Sequence, residues 1–379
     1  MKKTLLALSV AALAASSAQA YNFHIDQTGT DIDFGGSLRL KTENVDSRSN
    51  YNDREEIKDH EYRSVRNNGS RFGFKLKQDL GNDFYALGRV EWRFRGTAQS
   101  HHDFDDIYTR QLFAGFGHKK YGELVYGNMT VITDEVKKTD LPNTYSLSDG
   151  LLDHTARRAV QYTYKGKFDN QDLKVGVYYG GSSKRGNDGS SLLNATRKNT
   201  WGIGAIYGYQ IDSLQKVTIG TGFTRALYNN SNAALGSYSQ NAYAFDVAYK
   251  FDHTTYGIDL ERRVAKNQAE LGRKRTQNQV RTVVSQALND DWNVYAMFAY
   301  KTDKTQHAAA APNKEISREV MVGTEYYVYK QGSIKLKPFV EFQAIHKSYE
   351  NTTQNINGVT YNRDSARDLK TLIGVRAYW

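Results

Sequence analysis

Charged side chains recur at every second position in several stretches of this chain, with apolar or aromatic residues between them. Arg71, Lys75 and Lys77 alternate with Phe72, Phe74 and Leu76. Arg89, Glu91 and Arg93 alternate with Val90, Trp92 and Phe94, and Asp259 and Glu261 with Ile258 and Leu260. A period of two puts the charges on one face of a strand and the apolar groups on the other. The chemistry open to such rows is electrostatic. Charges facing each other across a narrow aqueous gap in low-dielectric walls focus a field that orients dipoles and sorts ions. Covalent chemistry has less support. His24, His60, His101, His102, His118, His154, His253, His307 and His346 are scattered, and none sits in an acid–base or Ser–His motif. His101 and His102 with Asp103, Asp105 and Asp106 offer donors for a divalent cation, but their spacing fixes no geometry and a solvated loop is the simpler reading. Gly202 and Gly204 lie in a strand pattern with no helix after it, so they are no dinucleotide fingerprint. No metal or cofactor is expected.

The elements that would carry these rows are strands. Sixteen are predicted, near 31–43, 70–80, 83–95, 108–117, 121–130, 157–166, 171–181, 199–210, 214–226, 240–251, 254–265, 276–288, 291–302, 316–329, 333–347 and 366–379. Their connectors alternate. Short turns such as Gly81-Asn82, Asp252-His253 and Asn289-Asp290 carry the residues that tight hairpins need. Long polar segments separate the others, among them 44–69, 96–107, 131–156, 182–198 and 348–365. An even strand count, short turns at one end and long loops at the other describe an all-β fold, a transmembrane antiparallel β-barrel of 16 strands. A sandwich would place the same charges in bulk solvent. So many inward Arg and Lys favour a wide, wet barrel, because a narrow one must fill its interior with side chains. In the last strand Ile373, Val375, Ala377 and Trp379 share one face, and Gly374, Arg376 and Tyr378 the other. This strand is expected to close the barrel against the first, near Ile32 to Lys41.

Residues 1–20 read as a cleaved signal peptide: Lys2 and Lys3, an apolar run from Leu5 to Ala15, then Ala18-Gln19-Ala20. The run is too short to span a membrane as a helix. Residues 21–379 are then one barrel domain. Without Lys2 and Lys3 the 51 basic residues become 49, against 41 acidic ones, a formal charge of +8. With no Cys, the exported chain uses no disulfide. Export, and basic residues spread along strands, argue against a nucleic-acid partner.

The run from Ser70 to Phe94, Arg110 to Phe116, Lys120 to Asn128, and the ending Gly374-Val-Arg-Ala-Tyr-Trp379 resemble the Gram-negative general porins, the ending that of the Pasteurellaceae branch. The resemblance is specific over 21–166 and rests on pattern beyond. It implies an outer-membrane homotrimer of barrels, among lipid and lipopolysaccharide, passing small hydrophilic solutes and ions by passive diffusion. It implies a third long loop folded into the pore, facing a basic wall. Arg71 and Arg110 match two basic positions in motif context, and Arg157 a third beside Arg158. Ser37 takes a position that is Lys in the family, while Arg39 and Lys41 share its parity. Glu91 matches an inward Glu. On the loop side, Asp140 is the nearest match to the family's Asp, Glu135 and Asp149 add charge, and Asn143 falls where a Glu usually sits. With that loss a weak anion preference is expected. Trp379 resembles the terminal aromatic by which barrel assembly machinery recognises its clients. A substrate-specific channel, which the many Tyr keep open, and a receptor or adhesin barrel are the alternatives. An enzyme is not expected.

Overall fold

The computed structural model describes residues 21–94, 104, 106–146, 150–186, 192–230 and 232–379. Sixteen antiparallel strands form its wall. They are β1 (Thr30–Tyr51), β2 in two parts (Arg54–Asn67 and Arg71–Gly81), β3 (Phe84–Phe94), β4 (Ile107–His118), β5 (Gly122–Thr130), β6 (Thr155–Phe168), β7 (Gln171–Gly180) and β8 (Leu192–Gln210). They continue as β9 (Gln215–Asn229), β10 (Ser237–Phe251), β11 (Thr254–Lys266), β12 (Lys274–Ala287), β13 (Trp292–Gln306), β14 (Asn313–Tyr326), β15 (Ile334–Glu350) and β16 (Val359–Tyr378). Each strand pairs with the next in sequence, and β16 returns to β1 from Ser37 opposite Tyr378 to Tyr51 opposite Arg363. Closure leaves the wall without a free edge to template aggregation.

The seam corrects one expectation. β16 does close against the first strand, but it meets Ser37 to Tyr51, overlapping the expected Ile32 to Lys41 only from Ser37 to Lys41. The lower part of β1 pairs instead with Tyr21–Ile25, which folds back so that Ile25 lies opposite Thr30. The stagger of tilted strands sets this offset, and no local pattern encodes it. At the junction the Trp379 carbonyl accepts from the Gly36 N–H at 3.0 Å, and the Trp379 N–H donates to the Gly36 carbonyl at 3.3 Å.

The first long segment is also corrected. Residues 44–69 are mostly a ladder: β1 continues to Tyr51, turns at residues 52–53, and β2 returns from Arg54, with Asp46 opposite His60 and Arg48 opposite Lys58. Likewise 348–365 holds a hairpin in which Ile356 faces Val359 across Asn357-Gly358, both at positive φ as a primed turn requires. Outside a membrane both faces of a ribbon can be polar, so polarity does not separate a solvated hairpin from a coil.

Alternation of exposure confirms the two faces. Val320 and Val322 are exposed while Glu319 and Met321, which alternate with them, are buried. Phe342 and Ile373 are exposed while Glu341 and Leu372 are buried. Exposed Phe84, Tyr121, Phe168, Tyr209, Phe251, Trp292 and Tyr326 cluster at the short-turn end, where an aromatic girdle meets the membrane surface.

Candidate functional site

The described residues of the segment between β5 and β6, residues 131–154, bond repeatedly to inward side chains of the wall, and their path can be followed anchor by anchor. It leaves β5 with the Ile132 N–H donating to Gln161 Oε1 on β6 at 2.8 Å. The Lys138 N–H then donates to Asp259 Oδ1 on β11 at 2.8 Å, and Thr139 Oγ1 to Asp259 Oδ2 at 2.5 Å. Further across, Glu341 on β15 accepts the backbone N–H groups of Asn143 (2.7 Å), Thr144 (3.0 Å) and Tyr145 (2.7 Å). The Asn143 amide donates to Glu325 on β14 at 2.6 Å, and Arg376 on β16 donates to the Asn143 carbonyl. The Tyr145 hydroxyl reaches Glu43 on β1. Burial, reinforced by that Glu43 bond, holds the hydroxyl pKa well above its ordinary value, so it remains a donor. On the return the Leu151 N–H donates to Glu261 at 2.7 Å, and the Asp153 N–H to Thr224 at 3.3 Å.

Glycines make room for this path. A Cβ on Gly220 would lie 2.2 Å from the Val136 carbonyl oxygen, and one on Gly257 2.6 Å from that of Lys138. Gly176 and Gly204 likewise lie under Ile132. Val136 is fully buried with Leu152, Ala242 and Ala244. Tyr145 covers inward Met297, Ala299, Met321, Phe339 and Leu372. These apolar groups on an otherwise wet face are inward because the loop covers them.

Opposite the start of the loop stands the basic wall. Glu91 on β3 is held by Arg110 at 2.9 Å, Arg89 at 2.6 Å, Arg71 at 3.8 Å and Gln111 at 3.2 Å. Strict alternation would turn Arg110 outward with exposed Leu112. A bulge, with Gln111 opposite Glu91 but Thr109 opposite Trp92, brings Arg110 and Gln111 to the same face. Arg71, Arg89 and Arg110 line a cavity of about 410 Å³ with Asp134 and Glu135 of the loop. Lys174 on β7 also enters this cavity and binds both Glu135 carboxylate oxygens at 2.5 Å.

The other expected positions are placed as follows. Arg39 and Lys41 are inward on β1, where the Arg39 Nε donates to Ser37 at 2.9 Å and Lys41 lies 3.7 Å from Glu43. Arg157 is half-buried in a bulge of β6 between Ala156 and Ala159, beside exposed Arg158 at φ +48°. Asp140 is half-exposed, 3.8 Å from Lys137, and is not part of the lining shared by Arg71 and Arg110. Asp149 lies outside the described residues, as do His101, His102, Asp103 and Asp105. Sequence reasoning did not single out Asp134, Arg89 or the loop anchors Asp259, Glu261 and Glu341 as site residues. Their parity marks them as inward, but nothing local says what they face.

A closed barrel of sixteen antiparallel strands, apolar outside and charged within, defines a membrane-spanning pore protein. A family model of the Gram-negative porins matches residues 7–306, and the chain belongs to this family; family and fold together point to a channel of the bacterial outer membrane rather than to an enzyme. The major outer membrane protein of Pasteurella multocida is 25% identical over 100% of both chains. A second protein of that name and organism is 32% identical over 43% of this chain and 46% of its own. The anion-selective porin from Comamonas acidovorans superposes with a TM-score of 0.61 at 13% identity, covering 92% of this chain and 100% of its own. OmpT of Vibrio cholerae in its trimer form superposes with a TM-score of 0.60 at 16% identity, covering 92% and 99%.

Proposed function

We propose that the protein is a general diffusion porin whose water-filled channel is narrowed by the 131–154 loop and carries a weak preference for anions. One observation carries this reading: Arg71, Arg89 and Arg110 share a cavity with a loop that is tied by hydrogen bonds to strands on both sides of the barrel. A transverse field between wall and loop lets a polar solute align and replace lost hydration, while an apolar solute disturbs ordered water without return. The preference follows from local pairing. Glu91 is spent among three Arg, and Glu135 on Lys174, so the remaining field near this wall is positive. Arg39, Lys41 and Arg157 extend the basic side, and Asp140 and Asp149 lie on the acidic loop. The working form is a homotrimer, as in the trimer form of OmpT of Vibrio cholerae, exported by a signal peptide removed after Ala20.

Planar-bilayer reversal potentials in a salt gradient test the reading. Chloride is expected to pass more readily than potassium, the R71S/R110S variant to lose that bias, and D134N/E135Q to strengthen it. A clear cation preference of the unaltered protein would reject the proposal.

A further inference from the structure

On the long-loop side of the Glu261 tether, the inner wall of β11 to β15 encloses a second cavity of about 340 Å³, with Gly150 and Leu151 of the loop at its edge. Arg263 of this lining donates to the Leu151 carbonyl, and the Leu151 N–H donates to Glu261 at 2.7 Å. Register arranges the charges in stripes that run across the strands. One stripe holds Lys301 on β13 opposite Ser317 on β14, and Ser317 opposite Lys347 on β15. The next lies two residues nearer the long-loop end. It holds Gln277 on β12 opposite Asp303 on β13, and Asp303 opposite Glu315 on β14.

The sign therefore alternates along the strands: Glu319, then Lys301 and Lys347, then Asp303 and Glu315, then Arg275. Each stripe is steadied by its neighbour. Lys301 lies 3.0 Å from Glu319, Lys347 lies 2.7 Å from Glu315, and the Arg275 Nε donates to Asp303 at 2.9 Å. These pairs hold the charges in place without exhausting them. Each ammonium carries three donors and, among the described residues, pairs with one carboxylate. Asp303 directly opposite Glu315 is a like-charge contact, unfavourable in a sheet, which a further cation would relieve.

We infer that this cavity binds a zwitterionic solute of dipeptide length, its carboxylate on Lys301 and Lys347 and its ammonium on Asp303 and Glu315. A plain anion held by the two lysines would face two carboxylates, and a plain cation the reverse. Spacing selects the length. The stripes lie two residues apart, ~6.8 Å along the strands. An extended peptide advances ~3.3–3.6 Å per residue, so two residues span ~7 Å, one falls short and three overshoot. Gln277, whose amide donates to Asp303 at 3.1 Å, offers its side-chain carbonyl to a peptide N–H. The inference rests on the chain being a diffusion channel and adds a solute class to it, on a wall separate from the cavity of Arg71 and Arg110.

The test is the ion current of the protein in planar bilayers, titrated with L-alanyl-L-alanine, with the same dipeptide N-acetylated and C-amidated, and with free alanine. The zwitterionic dipeptide is expected to reduce the current at a concentration about fivefold lower than either control, the gain that two partly exposed charge contacts provide. K301Q/K347Q and D303N/E315Q should each lose that difference, while K119Q/K120Q at the short-turn end keeps it. Equal block by the capped dipeptide overturns the zwitterion assignment, and equal block by alanine overturns the length match. An unchanged difference in either the lysine or the carboxylate double variant overturns the site. Reversal potentials read in the same bilayers separate this proposal from the previous one. Dipeptide block without a chloride bias rejects only the earlier reading, and a chloride bias without dipeptide block rejects only this one. The single variants Lys301→Gln and Asp303→Asn, each expected to narrow the difference by less, serve if a double variant does not fold.

Discussion

The Asn143 N–H donates to Glu341 Oε1 across 2.7 Å, joining the middle of the third long loop to a strand 198 positions later in the chain. Thr144 and Tyr145 donate to the same fully buried carboxylate. Hydrogen bonds to a charged group contribute ~1.5–3 kcal/mol each, and buried donors left without a partner cost a similar amount. Glu341→Ala should therefore release the far end of the loop while the barrel persists. The expected outcome is noisier and larger single-channel conductance, with faster proteolytic cleavage within residues 131–154. An unchanged conductance would remove Glu341 from the role of anchor.

The near side of the loop depends on absence of bulk. With a Cβ at Gly220 only 2.2 Å from the Val136 carbonyl, Gly220→Val cannot keep the loop against β9. The loop must shift into the channel, so conductance should fall, while Gly29→Ala, which meets nothing within 4 Å of its Cβ, should leave conductance unchanged. Positive φ at Gly29 adds local strain to that control, and the strain acts on a turn remote from the loop.

The Trp379 ring lies over Gly36, where a Cβ would come within 2.6 Å of it, and its buried Nε1 has no hydrogen-bond partner among the described residues. Packing and the backbone pairing with Gly36 therefore matter, and the indole N–H does not. Deletion of Trp379 should reduce heat-modifiable barrel in the outer membrane severalfold, whereas Trp379→Phe should assemble at least as well as the original. Normal assembly of the deletion would take this role from the terminal ring.

Two loops at the long-loop end are joined through Glu270, which takes His307 Nδ1 at 3.1 Å and the Ala308 N–H at 3.0 Å. Those bonds, the His307 bond foremost, hold the Glu270 carboxyl below its ordinary value of 4.5. A depressed carboxylate contributes stability that is fully present above the unfolded value and lost as pH falls through the folded one. Amide exchange at Ala308 should be slow from neutral pH down to about 4.5 and then accelerate relative to neighbouring loops. In Glu270→Gln it should be fast throughout. An acid transition already present near pH 6 would point to a different group.

Much of the architecture is legible from residues taken a few at a time. The alternation in Arg71 to Leu76 and in Ile258 to Glu261 assigns both faces correctly, because a strand's side chains reverse at every step whatever it packs against. Turn residues such as Gly81-Asn82 and Asp252-His253 set where the chain reverses. Arg110 shows where such reading stops. Its parity alone points outward, and only the pairing of β3 with β4 reveals the bulge that sends it toward Glu91. The polar stretch 44–69 gave no sign of being a ribbon, since a solvated ladder needs no apolar face.

The sequence by itself determined that this chain is a sixteen-stranded membrane barrel with a charged interior, because period and turn chemistry are local and repeat along its length. Only the tertiary structure decided where the described residues of 131–154 run, and that their Asp134 and Glu135 share a cavity with Arg71 and Arg110. Each depends on register between distant strands. Closure of a staggered sheet fixes that register, and no segment carries it alone.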